Sequence, residues 1–223
     1  MPKLHHFTLD PYCRRIRLTL AEKSLPITLV DERPWSPSPQ LLELNPSLQL
    51  PVFQEDSGQA ICGVEALGEY LEERYPAMNL LPGNAFERAE IRRLVAWFDV
   101  KFYTEVTEPL LTEKAVKRFM PGSAAPEMSR VRAASQRLKP HLDYVAWLAE
   151  ERSWLAGEDL SLADLAAAAH LSAIDYLGAI DWAENPVAKS WYQRIKSRPS
   201  FRVLLNDTVA AIPPSASYAD LDF

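Results

Sequence analysis

Cysteine, glycine, excess positive charge and long apolar runs are all scarce in this chain. Its 223 residues hold two cysteines, Cys13 and Cys62. They make no C-x-x-C pair and no disulfide framework, which fits a reducing compartment and excludes a cysteine-stapled scaffold. Only 7 glycines stand against 18 prolines. Few glycines fit a helix-rich chain, and the prolines concentrate at 34–51 and 213–214, marking the irregular stretches. No segment approaches the roughly 18 consecutive apolar residues of a membrane helix. The start, MPKLHHFTLD, lacks the apolar run of a signal peptide. The net charge of -6 and a pI near 5.3 argue against a dedicated nucleic-acid or anionic-membrane binder. No internal repeat is present.

What the chain does have is length for two modest domains or one large one, with 48% hydrophobic residues to build a core. The stretch NPSLQLPVFQEDSGQAICGVEALGEYLEERY, residues 45–75, organises the first part. It reads as turn, strand, tight turn, strand, helix. Pro51 opens the first strand, where a missing N–H is tolerated. Asp56-Ser57-Gly58 is a hairpin turn. Ala66, Leu67, Tyr70 and Leu71 recur at helical spacing, and Tyr75-Pro76 ends that helix. Upstream, Lys3 to Thr8 reads as a strand. Asp10 is an N-cap with Pro11 at the first helical position, the helix runs to Lys23, and Ile27 to Val30 is a second strand. DERPWSPSPQ, 31–40, is a proline-laced loop. Residues 1–77 therefore form an α/β unit.

After a linker the pattern turns helical over 86–205. Ile91, Leu94, Val95, Phe98, Phe102 and Val106 follow one helix face, and the spacing predicts a helix from Phe86 to Phe119 with a bend near Pro109. Val131, Ala134, Leu138, Leu142, Val145 and Leu148 predict another, bent at Pro140. Ser161 and Asp164 form a capping-box pattern before an alanine-rich segment, apolar nearly all round, that reads as a buried central helix. Residues 206–223 lack a helical period and read as an extended tail.

The Leu50-Pro51 strand opening, combined with Trp154-Leu155-Ala156-Gly157 and Leu160-Ser161-Leu162-Ala163-Asp164, resembles the glutathione S-transferase superfamily over nearly the whole chain. The resemblance implies an α/β plus all-α fold: a thioredoxin-like N-terminal domain followed by a helical C-terminal domain. It also implies a cis peptide at Leu50-Pro51, with the Leu50 backbone facing the cysteinyl unit of glutathione. Ser161 and Asp164 then serve folding, by satisfying the first amides of a buried helix.

The chemistry of that superfamily needs more. A hydroxyl or thiol at the start of the first helix should lower the thiol pKa of glutathione. Asp10 stands at the first such position and opposes a thiolate. Cys13 stands at the fourth, either as an activated thiol or as a small packed helix residue. The Glu/Gln–Ser pair that this superfamily usually carries for the γ-glutamyl carboxylate is replaced by Gly63 and Val64, which offer no side-chain donor. Asp10, Cys13, Leu50, Pro51, Gly63 and Val64 thus read as the remnant of a ligand pocket, with no catalytic residue and no cofactor. The alternative is a glutathione-dependent transferase or isomerase using Cys13.

The stretches FTLDP, WFDVKF (97–102), AAAAHLSAIDYLG (166–178) and YADLDF (218–223) resemble a non-enzymatic branch of the superfamily, the division proteins that bind FtsZ filaments. This implies a cytoplasmic homodimer at the division site that docks on acidic FtsZ and promotes filament curvature and constriction, with no nucleic-acid partner and no membrane insertion. The candidate partner surface is Trp35, Arg198, Arg202, Tyr218, Asp220, Leu221, Asp222 and Phe223, in which basic residues would pair with acids and the tail would supply apolar anchors. Trp35 has a second reading, as packing against the helical domain, and the tail as a plain disordered terminus. His5 and His6 face opposite sides of a strand, so no shared metal site is expected. His170, among alanines, reads as a core histidine.

Overall fold

The computed structural model describes residues 1–221. Four strands form one mixed sheet in the order β2-β1-β3-β4: β1 Lys3–His6, β2 Thr28–Asp31, β3 Val52–Gln54 and β4 Ala60–Cys62. β1 runs parallel to β2, with Leu4 opposite Leu29. It runs antiparallel to β3, with Leu4 opposite Phe53, and β3 pairs antiparallel with β4. Leu4 and Phe53 meet Ile16 and Leu20 of α1 (Pro11–Glu22) and Leu67 and Leu71 of α3 (Val64–Arg74) in one buried cluster. The short α2 (Pro39–Leu44) completes this domain. β1 stops two residues earlier than its pattern predicts. The Asp10 amide donates to the Phe7 carbonyl at 3.0 Å, and this turn places Asp10 to cap α1. Its carboxylate accepts the Cys13 amide at 2.8 Å, as N-cap residues do. The Leu50-Pro51 peptide is cis.

The helical domain opens at Asn84, whose side chain and that of Glu87 form a reciprocal capping box. α4 then follows one helical path over 85–119. Its ladder is not uniform: Ala85–Ala96 is regular, while Trp97–Thr107 and Thr112–Val116 are π-helical. Pro109 lies in the short regular stretch between the two. A proline cannot donate to the carbonyl four residues back and crowds it, and the wider turns on either side accommodate it. α5 (Met128–Glu151) carries Pro140 within it. α6 (Leu162–Tyr176) is buried at every residue. Its N-terminus is closed by Ser161 and Asp164, and the Asp164 carboxylate also accepts the Leu155 amide at 2.9 Å and the Trp191 indole at 3.2 Å. α7 (Pro186–Lys196) and the short α8 (Arg202–Leu205) pack around α6.

Three arginines on α1 join the domains, and all three are buried: Arg14 at 0%, Arg15 at 2% and Arg17 at 5% exposure. Guanidinium groups are rarely buried without partners, and here each has them. Arg14 donates to the Thr8 carbonyl, the Ser172 hydroxyl, the Tyr218 hydroxyl and Asp207. Arg17 takes both oxygens of Asp207. Arg15 pairs with Asp99 and donates to the Val64 carbonyl at 2.8 Å.

The tail therefore departs from the extended terminus its sequence predicts. It has no regular structure through Leu221, but it is stitched down. The Tyr176 hydroxyl donates to the Ile212 carbonyl at 2.8 Å and accepts the Val209 amide at 3.0 Å. Ser215 donates to the Asp175 carbonyl, and Lys196 to the Ser217 carbonyl. Ile212 and Tyr218 are buried. Two buried arginines need the carboxylate and hydroxyl that this segment carries, and that need fixes its path.

Candidate functional site

A cleft of about 660 Å³ lies where the two domains meet. Four of the six expected pocket residues line it: Asp10, Leu50, Gly63 and Val64. The sheet domain contributes the α1 N-terminus, the loop before β3 and the α3 N-terminus. The π-helical part of α4 contributes Asp99, Val100 and Tyr103. Wide helical turns of this kind often occur at functional sites. Gly63 enters α3 at φ 88°, in the left-handed region, and makes no side-chain cap. A glutamate there would be strained.

Pro51 is buried behind Leu50. Cys13 does not reach the cleft either. It is fully buried, and burial together with the Asp10 carboxylate pushes its thiol well above the usual cysteine range. A thiolate is the reactive form, so the alternative reading of Cys13 as nucleophile is corrected: it is a packed core residue. Burial also raises Asp10, to about 6, against the opposing pull of the Cys13 amide.

Several cleft residues have no sequence motif to announce them. Tyr12 donates to the Asp99 carbonyl at 2.7 Å, and its ring lies 4.9 Å from that of Tyr103. Asp99 is buried and receives Arg15 on one oxygen and His170 Nε2, at 3.2 Å, on the other. His170 Nδ1 faces the Thr107 hydroxyl at 3.0 Å, and burial lowers the His170 pKa. His170 is thus the hydrogen-bonded core histidine its alanine-rich setting predicts. The one signal for Asp99 in the sequence is an acid inside the apolar run WFDVKF. The cleft wall holds Asp10, Glu65 and Asp99, with no lysine, arginine or histidine among its described residues. It offers a carboxylate ligand no cationic side chain. No group of three or more metal-ligating side chains occurs among the described residues, and no described helix is long and apolar enough to cross a membrane.

The expected partner residues are dispersed. Tyr218, expected as a surface anchor, is fully buried: its hydroxyl accepts from Arg14 at 2.9 Å and donates to the Leu204 carbonyl at 3.1 Å. Arg198 is half-buried and forks onto both oxygens of Glu22, at 2.6 and 2.8 Å. Arg202, Asp220 and Leu221 are exposed. Trp35 is half-buried, stacked on Phe119 of α4 at 5.3 Å and edge-on to Phe7 at 5.5 Å. It therefore packs on the helical domain and stays partly exposed. Asp222 and Phe223 lie outside the described residues.

A small mixed sheet whose third strand opens at a cis-proline beside an interdomain cleft, followed by an all-helical domain around one buried helix, defines a glutathione-transferase-type protein. The chain belongs to the glutathione S-transferase family. Residues 4–81 match that family's N-terminal domain and residues 111–205 its C-terminal domain. It is 46% identical, over 99% of its length and 97% of the relative's, to FtsZ-localized protein A of Caulobacter vibrioides. Its structure is similar to that of FzlA from C. crescentus (TM-score 0.95, 45% identity, 100% and 99% of the two chains covered). It is also similar to a glutathione S-transferase from Rhodospirillum rubrum F11 (TM-score 0.97, 49% identity, both chains covered in full).

Proposed function

We propose that this chain is a division protein built on the glutathione S-transferase fold, which binds FtsZ filaments as a homodimer at the cytoplasmic division site and promotes their curvature during constriction. The observation that carries this reading is the 46% identity to FtsZ-localized protein A over nearly both full lengths. The cleft supports it from the other side. Gly63 and Val64 present no side-chain donor for the glutathione carboxylate, acids line the wall, and the thiol of Cys13 is sealed in the core. On this reading no residue is catalytic and no cofactor is required. Of the contact residues expected from the sequence, Arg202, Asp220 and Leu221 present themselves at the surface, and Tyr218 acts beneath them as the fastener of the tail.

Co-sedimentation with FtsZ polymer, run beside retention on glutathione resin, tests the proposal. The expected result is pelleting with polymer and passage through the resin. Retention on the resin without pelleting returns the chain to glutathione chemistry.

A further inference from the structure

A second pocket, of about 260 Å³, opens between α3 and α4 and shares Glu65 with the interdomain cleft. Val95 and Ala96 of α4 and Leu162 at the start of α6 give it apolar sides, and Gly68 of α3 and Arg15 of α1 also line it. Arg15 is buried, and two of its three nitrogens have partners: Nη1 pairs with Asp99, and Nη2 donates to the Val64 carbonyl at 2.8 Å. The third, Nε, is buried without a hydrogen-bond partner among the described residues. A buried donor left without an acceptor costs about 1–3 kcal/mol.

In a planar guanidinium the Nε and Nη2 hydrogens share one edge. A Cβ at Gly68 would stand 3.5 Å from Arg15 Nη2, so this edge is turned toward α3 at the residue that carries no side chain. That distance is ordinary contact: a methyl fits, and alanine is the better helix former by about 1 kcal/mol. Packing does not call for the glycine, and its effect is to leave the donor edge uncovered. The pocket is several times the roughly 30 Å³ of one water, and Val95, Ala96 and Leu162 offer a water no further partner. The charges at the pocket are already engaged. Arg15 is held by Asp99, and Arg92 forks onto both oxygens of Glu69 at 2.8 and 3.0 Å. A carboxylate ligand would meet Glu65 and Glu69, and an ammonium ligand would meet the donor edge of Arg15.

We propose that this pocket binds a small uncharged carbonyl compound, an amide or ketone with a compact apolar body. Its oxygen accepts from Arg15 Nε, and its body lies against Val95, Ala96 and Leu162. Small-molecule sites have this form, apolar walls with one placed polar group that fixes orientation. Arg15 also ties the pocket to the cleft, because its other partners, Asp99 and Val64, both line the cleft wall. Such a site stands whether or not the chain binds FtsZ.

The test is a titration of the full chain, isotope-labelled at the arginine nitrogens, with isobutyramide, followed by NMR through the arginine Nε–H signals. The Arg15 signal should shift saturably. The Arg17 signal should stay in place, because its Nε is also buried without a partner among the described residues but lies outside the pocket. Gly68→Ala sets a methyl over the donor edge, and Ala96→Leu, at an exposed helix position, fills the pocket from α4. Each should weaken isobutyramide by about tenfold or more, and Gly68→Ala should melt no lower than wild type. Isobutyrate and isobutylammonium carry the same body with a charge and should bind about tenfold or more weaker than the amide. An Arg15 edge that holds only water gives no saturable shift, which overturns the proposal. Unchanged affinity in both pocket variants overturns it as well, and so does a charged analogue that binds as tightly as the amide.

Discussion

Tyr218→Phe reads the role of the tail most directly, because it deletes one oxygen and leaves a ring of the same shape. That oxygen accepts from the Arg14 guanidinium at 2.9 Å and donates to the Leu204 carbonyl at 3.1 Å. A hydrogen bond to a charged group contributes about 1.5–3 kcal/mol. The loss is moderated, because Arg14 keeps Ser172, the Thr8 carbonyl and Asp207, and the Leu204 carbonyl keeps the Asp207 amide at 3.0 Å. The cost should therefore be about 2 kcal/mol. For a chain of this size that lowers Tm by about 4–8 °C. Tyr218→Ala also removes a fully buried ring that meets Tyr176 edge-on at 5.1 Å. The cavity raises its cost to about 3–5 kcal/mol, a large share of the ~5–15 kcal/mol that holds a typical domain folded. Thermal and urea unfolding followed by circular dichroism measure both variants. If Tyr218→Phe melts within a degree of wild type, the hydroxyl does not hold Arg14 and the tail is not the fastener described. An exposed anchor would behave in the opposite way: Tyr218→Ala would keep the wild-type Tm and lose filament binding.

Two further outcomes follow from the cleft. The Asp10 carboxyl titrates at about 6 in the folded chain against an ordinary 3.8, so the folded state holds a proton there that the unfolded state has released. Its cost is absent below about pH 4, grows as pH rises to about 6 and is complete above that. Asp10→Asn keeps a capping side chain and should be more stable than wild type at pH 8, by at most about 3 kcal/mol, with the gap closing toward pH 4. Urea midpoints at the two pH values check the sign, and an equal gap at both would show that Asp10 is not perturbed. The second outcome concerns glutathione. Installing the family's pair by Gly63→Glu with Val64→Ser should recover little binding, because the glutamate must occupy φ 88° and Asp10 and Glu65 remain in the wall. Calorimetry that finds roughly millimolar or tighter binding, about -4 kcal/mol or better, or a conjugating activity lost on Cys13→Ala, would restore an enzymatic reading.

What could be read from the sequence was what obeys short-range rules. Asp10-Pro11 starts α1 because a carboxylate reaches the amide three residues on, and the Cys13 amide is indeed its donor. Ser161 and Asp164 close α6 by the same reach. Pro51 opens β3 because its missing donor fits that position. The periodic apolar positions placed the helices, apart from the widened turns around Pro109. The pocket residues Asp10, Leu50, Gly63 and Val64 were found through motif positions, and the structure gathers those four into one cleft. Asp99 has only the sign of an acid inside WFDVKF and Tyr103 has none, because nothing local tells a cleft-lining face of α4 from any other.

The sequence by itself determined the order and type of elements, the capping of the central helix, and the absence of a donor pair where the family carries one. The tertiary structure decided which charges are inside. Arg14 and Tyr218 stand 204 positions apart in the chain, and no periodicity or turn rule links them. A buried guanidinium requires oxygen partners wherever the chain can supply them. That requirement drew a tail without helical pattern onto α1 and turned an expected surface tyrosine into an interior bond.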